Sequence, residues 1–347
     1  MTNKITVFLL TGFISAVCLT AFSQDAPVAP PVGLIFDTDL GNDADDALAL
    51  AMIHRMESQG SCRLLAVTLS KDHPLAAECA SIINEYFGRG AIPVGRVKDG
   101  VSRENREYLI KLAGKLDENG QFVYPRRITR ESVLPEAVAL IRKTLAAQPD
   151  NSVVIIQVGF STNLARLIDS PADEFSPLTG KELILQKVRF LSLMGGEYST
   201  NNSDYSEFNI KCDIPSAQKI FRDWPGKLVA SGFEIGKDIC VTKSCMNADV
   251  GEGNNPVRDV FFFYRGAHAG ENQSSWDLTS VLYAVRPNRG YFTLSQPGTI
   301  TVTDSGQTHF TPSEEGNRFF LKATPVQKAM VQGILQEQSS QRGVFPY

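Results

Sequence analysis

Cysteine, histidine and tryptophan are scarce in this chain, at six, four and two residues of 347. No Cys/His spacing suits a zinc site, and no cysteine carries the pattern of a catalytic thiol. Basic charge is not in excess either. The 34 Lys and Arg face 38 Asp and Glu, a formal net charge of −4. That excludes the basic surface on which nucleic-acid binding depends. Beyond residue 22 no apolar run is long enough to span a bilayer. There is no internal repeat and no evident second-domain boundary. What is left is the composition of a soluble globular protein large enough for one big domain or two ordinary ones.

The first 23 residues stand apart. Lys4 precedes an apolar run from Ile5 to Phe22, and Ala21 and Ser23 place small residues at −3 and −1 of a cleavage site after Ser23. This predicts a secretory signal over residues 1–23, with a membrane anchor as the competing reading. Val17 before Cys18 is too large for a good lipoprotein signal. A Pro/Ala-rich mobile leader, residues 24–31, then precedes a single domain over 32–347. The mature protein is expected to be secreted or periplasmic, with no membrane attachment. Five cysteines follow the cleavage site, namely Cys62, Cys79, Cys212, Cys240 and Cys245. An oxidising compartment permits disulfides, and Cys240 and Cys245 are spaced to close a short loop. Cys62 and Cys79 sit in apolar runs that read as core.

From Val32 onward strand and helix patterns alternate. Strands are expected at Val32–Phe36, Arg63–Leu69, Ile92–Val94, Val153–Val158, Val188–Met194 and Lys227–Ala230. Helices are expected at Asp45–Glu57, Ala76–Gly88, Val133–Ala147, Thr162–Asp169, Ser216–Asp223 and Asp277–Val285. The fold class is α/β, an open, mostly parallel, Rossmann-like sheet with helices on both faces. A β-hairpin or meander over Thr299–Lys322 and a helix near Val326–Gln336 close the chain. Gly95–Arg130 reads as a long charged loop with one short helix near Arg106–Leu116, functional or lid-like in length.

Five aspartates fall within ten residues, in Asp37-Thr-Asp39-Leu-Gly-Asn-Asp43-Ala-Asp45-Asp46, with no Lys or Arg among them. The stretch lies between an apolar strand and an apolar helix. Two carboxylates held near 4 Å repel by about 4 kcal/mol at a surface-like dielectric. Helix N-termini and bound cations are the usual means of offsetting this. Ligands of open parallel sheets bind beyond the C-terminal strand ends. The polar clusters Ser161-Thr162-Asn163, Asn201 to Asn209 and Trp276-Asp277 all fall at that edge.

Taken in order, these segments resemble the calcium-dependent nucleoside hydrolases, the inosine–uridine-preferring and purine-specific ribohydrolases. The resemblance rests on Asp37-Thr-Asp39-Leu-Gly41, Asp45-Asp46-Ala47, Thr162-Asn163, Asn201, Glu207-Phe208-Asn209, Asp213-Ile-Pro215 and Trp276-Asp277, across roughly residues 32 to 290. It implies one Ca²⁺ held by Asp39, Asp46, the backbone carbonyl of Thr162, and Asp277. It further implies that Asp39 is the catalytic base for a metal-bound water attacking C1′. Asp45 would bind the 2′-hydroxyl, Asn209 the 3′-hydroxyl, and Asn201 and Glu207 the 5′-hydroxyl. Trp276 would stack on a purine. A small nucleoside or related ribosyl compound is the implied substrate, and a homo-oligomer is implied by the resemblance alone.

Two departures from the family pattern stand out. Three residues, Asn42-Asp43-Ala44, separate Gly41 from the Asp pair where the family has one, so Asp43 is an added carboxylate able to displace Asp45 or Asp46. Lys71, beside Asp72 and His73, stands where the family often has Asn. No histidine is assigned as an acid; His73 and His268 fall in loops and His54 on a helix surface. Two alternatives stay open. One is a non-catalytic, calcium-stabilised sugar-binding protein of the same fold. The other is a haloacid-dehalogenase-type phosphatase, which leaves Asn201, Glu207, Asn209 and Asp277 without a role.

Overall fold

The computed structural model describes residues 31–102, 107–200, 204–248, 253–266 and 272–340. The expected signal segment and the leader up to residue 30 lie outside the described residues, as do Asn201 and His268.

The strands are β1 (Val32–Thr38), β2 (Cys62–Lys71), β3 (Val94–Val101), β4 (Val153–Gln157), β5 (Val188–Met194), β6 (Leu228–Ser231), β7 (Cys240–Thr242), β8 (Asn272–Ser274), β9 (Thr293–Leu294), β10 (Gly298–Val302), β11 (Thr308–Pro312) and β12 (Arg318–Lys322). The helices are α1 (Asp45–Ser58), α2 (Ala76–Tyr86), α3 (Glu107–Ala113), α4 (Ala137–Ala146), α5 (Thr162–Asp169), α6 (Gly180–Lys187), α7 (Phe208–Cys212), α8 (Ile214–Asp223), α9 (Phe233–Gly236), α10 (Lys243–Ala248), α11 (Pro256–Arg265), α12 (Trp276–Val285) and α13 (Pro325–Ser340).

The main sheet runs β11-β10-β12-β6-β5-β4-β1-β2-β3, with β9 also pairing to β12. From β3 through to β12 every neighbouring pair is parallel. β10, β11 and β9 add antiparallel pairs at the far edge, and β7 with β8 forms a separate antiparallel ribbon. The chain winds outward from β1 through β2 to β3, then returns to start β4 on β1's other side. The C-terminal ends of β1 and β4 therefore flank the point where strand order reverses, the usual place for a ligand crevice.

Alternate residues of each central strand face opposite layers. Leu34 and Phe36 of β1, with Val154 and Ile156 of β4, pack into one core with α1, α2, α12 and α13. Ile35, Val153 and Ile155 pack into the other, against α4, α5, α6 and α8. Burying one such side chain stabilises the fold by about 1.5–3 kcal/mol. Helix α1 is buried almost all round, so His54 is not on a surface as its sequence position indicated. Its ring stacks on Phe87 at a centroid distance of 4.9 Å, and Nε2 pairs with Asn84 Oδ1 at 2.8 Å.

Two further expectations are corrected. The strand expected at Ile92–Val94 begins at Val94 and continues to Val101, into what reads as loop. The expected C-terminal hairpin is formed by β10 and β11, and β12 extends the main sheet in parallel with β6. Cys240 and Cys245 are free thiols, as are Cys62 and Cys79. Helices α6 and α11 had no counterpart in the sequence reading. Among the described residues, no helix is long and apolar enough to cross a membrane.

Candidate active site

β1 ends at Thr38, and the chain leaves the sheet at Asp39 straight into the turn before α1. Gly41 takes φ +130°, open to glycine alone, and a Cβ there would collide with Leu109 and crowd Lys71. Gly159 at the end of β4 passes so close that a Cβ would strike the backbone nitrogen and Cβ of Asp39 and the Ser70 hydroxyl. The two glycines let β1, β2 and β4 converge around Asp39.

Beyond these strand ends lies a cavity of about 280 Å³. Asp39, Asn42, Asp43, Asp46 and Asp277 line its acidic side, and Glu207, Asn209, Tyr205, Phe208, Phe233, Tyr264 and Trp276 line the rest. A second cavity of about 420 Å³ lies between α4 and β2, walled by side chains such as Leu65, Leu140 and Phe175. It is larger, but no carboxylate lines it among the described residues. Convergent polar groups, more than volume, mark a reactive site, so the first is the candidate.

Asp45 and Asp46 occupy the first turn of α1, and Asp277 that of α12. Helix N-termini partly compensate carboxylates placed there. Compensation is incomplete. Asp39, Asp45, Asp46 and Asp277 are all buried. Burial first, and then neighbouring carboxylates, hold Asp45, Asp46 and Asp277 well above the ordinary carboxylate range. Asp39 is pushed up to about 7, by burial and then by Asp43, with Lys71 opposing. Lys71 is itself buried. Its ammonium donates to Asn42 Oδ1, and the Asn42 amide donates to Asp39 Oδ2. Thr38 Oγ1 donates to Asp46. Tyr108 of α3 adds a buried phenol whose ionisation Asp46 and Asp43 oppose after burial, a neighbour that the sequence reading did not find.

Of the expected site residues, Asp39, Asp46, Asp277, Glu207, Asn209 and Trp276 come together in this cavity. Asp45 and Thr162 are not among its described lining residues. Asp45 Oδ2 accepts from the Asp277 backbone amide at 2.8 Å instead. Thr162 begins α5 and its hydroxyl donates to Asp213, which also caps α8 through Ser216 N at 3.3 Å. The Asn163 amide donates to Asp37 Oδ1 at 2.7 Å and to Leu69 O at 3.1 Å. Asp37, joined also by Thr68 Oγ1 at 2.6 Å, thus ties β1, β2 and α5 together beneath the pocket.

Glu207 caps α7, accepting from Asn209 N at 3.0 Å and Ile210 N at 3.1 Å. Burial nonetheless raises it to about 7. The Asn209 side chain donates to Val158 O at 2.9 Å. Trp276 stacks on Phe233 with centroids 5.5 Å apart, and Phe233 meets Tyr205 at 4.6 Å. His73 is turned back on its own loop, its Nδ1 accepting from Leu75 N at 3.2 Å.

Oxygen donors alone make up the acidic side, the chemistry of a hard cation such as Ca²⁺. Asp45 Oδ1 is buried without a hydrogen-bond partner among the described residues. The Asp39 carboxyl acts on that of Asp46 both through its charge and as a hydrogen-bonding neighbour. The donor set therefore fits a cation. Among the described residues no three acidic, His or Cys side chains are already arranged to hold one. Thr38, Asn42 and the Asp277 amide each donate to one carboxylate oxygen, of Asp46, Asp39 and Asp45 in turn.

Comparison with known proteins agrees with this geometry. No curated protein sequence matches the chain. The fold matches a plant nucleoside hydrolase at TM-score 0.65 and 19% identity, over 90% of this chain and 99% of that one. It matches the inosine-uridine preferring nucleoside hydrolase of Bacillus anthracis at 0.64 and 16%, over 88% and 99%. It also matches the purine-preferring ribonucleoside hydrolase of Gardnerella vaginalis at 0.64 and 17%, over 89% and 99%. The family model described as inosine-uridine preferring nucleoside hydrolase matches residues 34–333. The chain belongs to that family of hydrolases acting on N-glycosidic bonds.

Proposed function

We propose that the chain is a secreted or periplasmic, calcium-dependent N-ribohydrolase that cleaves ribonucleosides or a related N-glycoside into base and ribose. One observation carries the reading. A single cavity sets Asp39, Asp46 and Asp277 against Glu207 and Asn209, with an aromatic wall of Tyr205, Phe233 and Trp276 beside them. Carboxylates suit a cation and sugar hydroxyls, the amide and Glu207 suit further hydroxyls, and aromatic faces suit a flat base. Membership of an N-glycosidic hydrolase family sets the phosphatase alternative aside.

Asp39 and Asp46 would hold the ion with Asp277 and the Thr162 carbonyl. Bound Ca²⁺ supplies Lewis acidity that lowers the pKa of a nearby water. Asp39 takes the proton from the attacking water. Asn42 and Lys71 steady Asp39 in that task through the bonds described above. Asn209 and Glu207 fix the sugar, which supplies orientation, and the surrounding carboxylates favour positive charge on the ring as the glycosidic bond lengthens. The base lies against Trp276. The Gardnerella relative is named purine-preferring, and a stacked aromatic wall favours the larger bases here too.

The test is a release assay on the chain from Gln24 onward, with purine and pyrimidine ribonucleosides, calcium or chelator, and free reducing sugar as readout. Metal-dependent release that disappears in Asp39→Asn supports the reading. Release that survives Asp39→Asn removes the base, and release indifferent to chelation removes the metal. Sugar binding without turnover identifies a non-catalytic binding protein instead.

A further inference from the structure

We infer, on the calcium-dependent reading above, that Tyr108 is a positioning residue of the acidic side of the cavity. Its hydroxyl supplies a hydrogen bond that holds Asp46 in place when Asp46 carries a cation. Where a substrate lies has no bearing on this.

Tyr108 belongs to α3, in the charged stretch between β3 and α4. That helix turns Tyr108, Leu109, Leu112 and Ala113 inward and leaves Ile110 exposed. Leu109 packs so close to the turn after β1 that a Cβ on Gly41 would meet its Cδ1 at 2.7 Å. The Leu109 carbonyl accepts from the Cys79 thiol of α2 at 3.7 Å, which ties α3 down from its other side. The Tyr108 ring meets Tyr264 of α11 edge to face, with centroids 6.3 Å apart, and Tyr264 lines the cavity. Tyr108 is thus seated beside both the cavity wall and the turn that carries the aspartates.

The side chain is 1% exposed, and its hydroxyl has no hydrogen-bond partner among the described residues. Leaving a buried hydroxyl unsatisfied costs about 1–3 kcal/mol, so phenylalanine would serve better if packing were the only role. The surroundings keep the phenol protonated, and so a donor. Burial opposes its ionisation most, followed by Asp46 and Asp43. Asp46 already accepts from Thr38 Oγ1. A carboxylate offers about four acceptor sites, which leaves room for a second donor beside the ion. A neutral hydroxyl suits that place better than another ammonium would. It steadies the carboxylate without repelling the cation.

The test is calcium titration calorimetry on wild type, Tyr108→Phe and Tyr86→Phe. Tyr86 of α2 is the control, since its hydroxyl is also buried without a described partner but is absent from the described lining of the cavity. Tyr108→Phe should raise the calcium Kd about 10- to 100-fold, as loss of a group that orients a metal ligand does. Tyr86→Phe should leave Kd unchanged. In chelator, Tyr108→Phe should melt at or above the wild-type Tm, because an unsatisfied hydroxyl has been removed. An unchanged Kd in Tyr108→Phe overturns the inference, as does an equal loss in Tyr86→Phe. So does a Tyr108→Phe protein that melts lower in chelator or fails to fold, which makes the hydroxyl a structural group. A wild type that binds no calcium overturns the inference together with the calcium dependence of the reading above. Calcium binding that Tyr108→Phe weakens, in a protein that releases no sugar from nucleosides, supports the inference and ends the ribohydrolase reading alone.

Discussion

On the calcium-dependent reading proposed above, removing the cation should destabilise this protein. Asp39, Asp46 and Asp277 are buried in the lining of one cavity, which Asp43 also lines, Asp45 is buried against the Asp277 amide, and the buried Lys71 ammonium is the counter-charge that acts on Asp39. Each carboxylate pair near 4 Å costs about 4 kcal/mol at an effective dielectric near 20. Without an ion, protonation relieves that cost. Asp39 rises from 3.8 to about 7 in the folded chain, so the fold takes up protons more readily than the unfolded chain between those values. Its contribution is fully present below pH 3.8 and is lost as pH rises through 7. The metal-free protein should therefore gain stability from pH 8 to pH 6. Ion binding to the folded state alone adds about 2.7 kcal/mol at 100 times Kd and about 4.1 at 1,000 times. At roughly 2 °C per kcal/mol for a chain of this size, calcium should raise Tm by about 5–8 °C at pH 8. The shift should shrink at pH 6, where protons compete. Scanning fluorimetry with calcium or chelator at the two pH values measures all four quantities. Equal Tm with calcium and chelator at pH 8, or a metal-free Tm that falls toward pH 6, would refute the reasoning.

Two further outcomes are expected. Burial holds His54 down at about 3, against 6.5 unfolded, so its contribution is present above pH 6.5 and is lost as pH falls toward 3; by pH 5 the loss is about 2 kcal/mol, and urea titrations of His54→Gln should show a flatter decline from pH 7 to 5. Gly159→Ala should cost about 1–3 kcal/mol in stability, as overpacking does, and lower kcat at least 10-fold by shifting Asp39, measured by denaturant melts and sugar release; wild-type kcat would show that the close approach does not position Asp39.

The parts of the fold legible in the sequence are those whose physics is local. β5 and α5 match their expected bounds, Val188–Met194 and Thr162–Asp169, because each is an apolar or amphipathic segment with polar punctuation. β3 escaped because Arg96, Lys98 and Asp99 interrupt it. It lies at the sheet's edge, where charged residues are tolerated and guard against pairing with other chains. α6 carried a readable signal in Thr179 and Glu182, which form a capping box. α11 had one in Asn255-Pro256, with Asn255 capping and proline in the first turn. His54 was misplaced because α1 is enclosed on nearly all sides, so helical position says little about exposure. The gathering of Asp39, Asp46, Asp277, Glu207 and Asn209 was legible from their placement after successive strands. The bond from the Asp277 amide to Asp45 was not, since it joins residues far apart in sequence.

The placement of β12 has a consequence for how the chain is made. β6 lies between β5 and β12, and its outer edge is closed by Arg318–Phe320 pairing with Leu228–Ala230. Every strand around the acidic cavity emerges from the ribosome before that edge can be covered. A nascent chain stopped ahead of Arg318 holds the whole pocket sequence yet presents a bare parallel edge, the kind of surface on which other chains nucleate. For this protein the vulnerable interval in biogenesis is the wait for one late strand. A C-terminal deletion reaching β12 should therefore show itself first as loss of soluble yield.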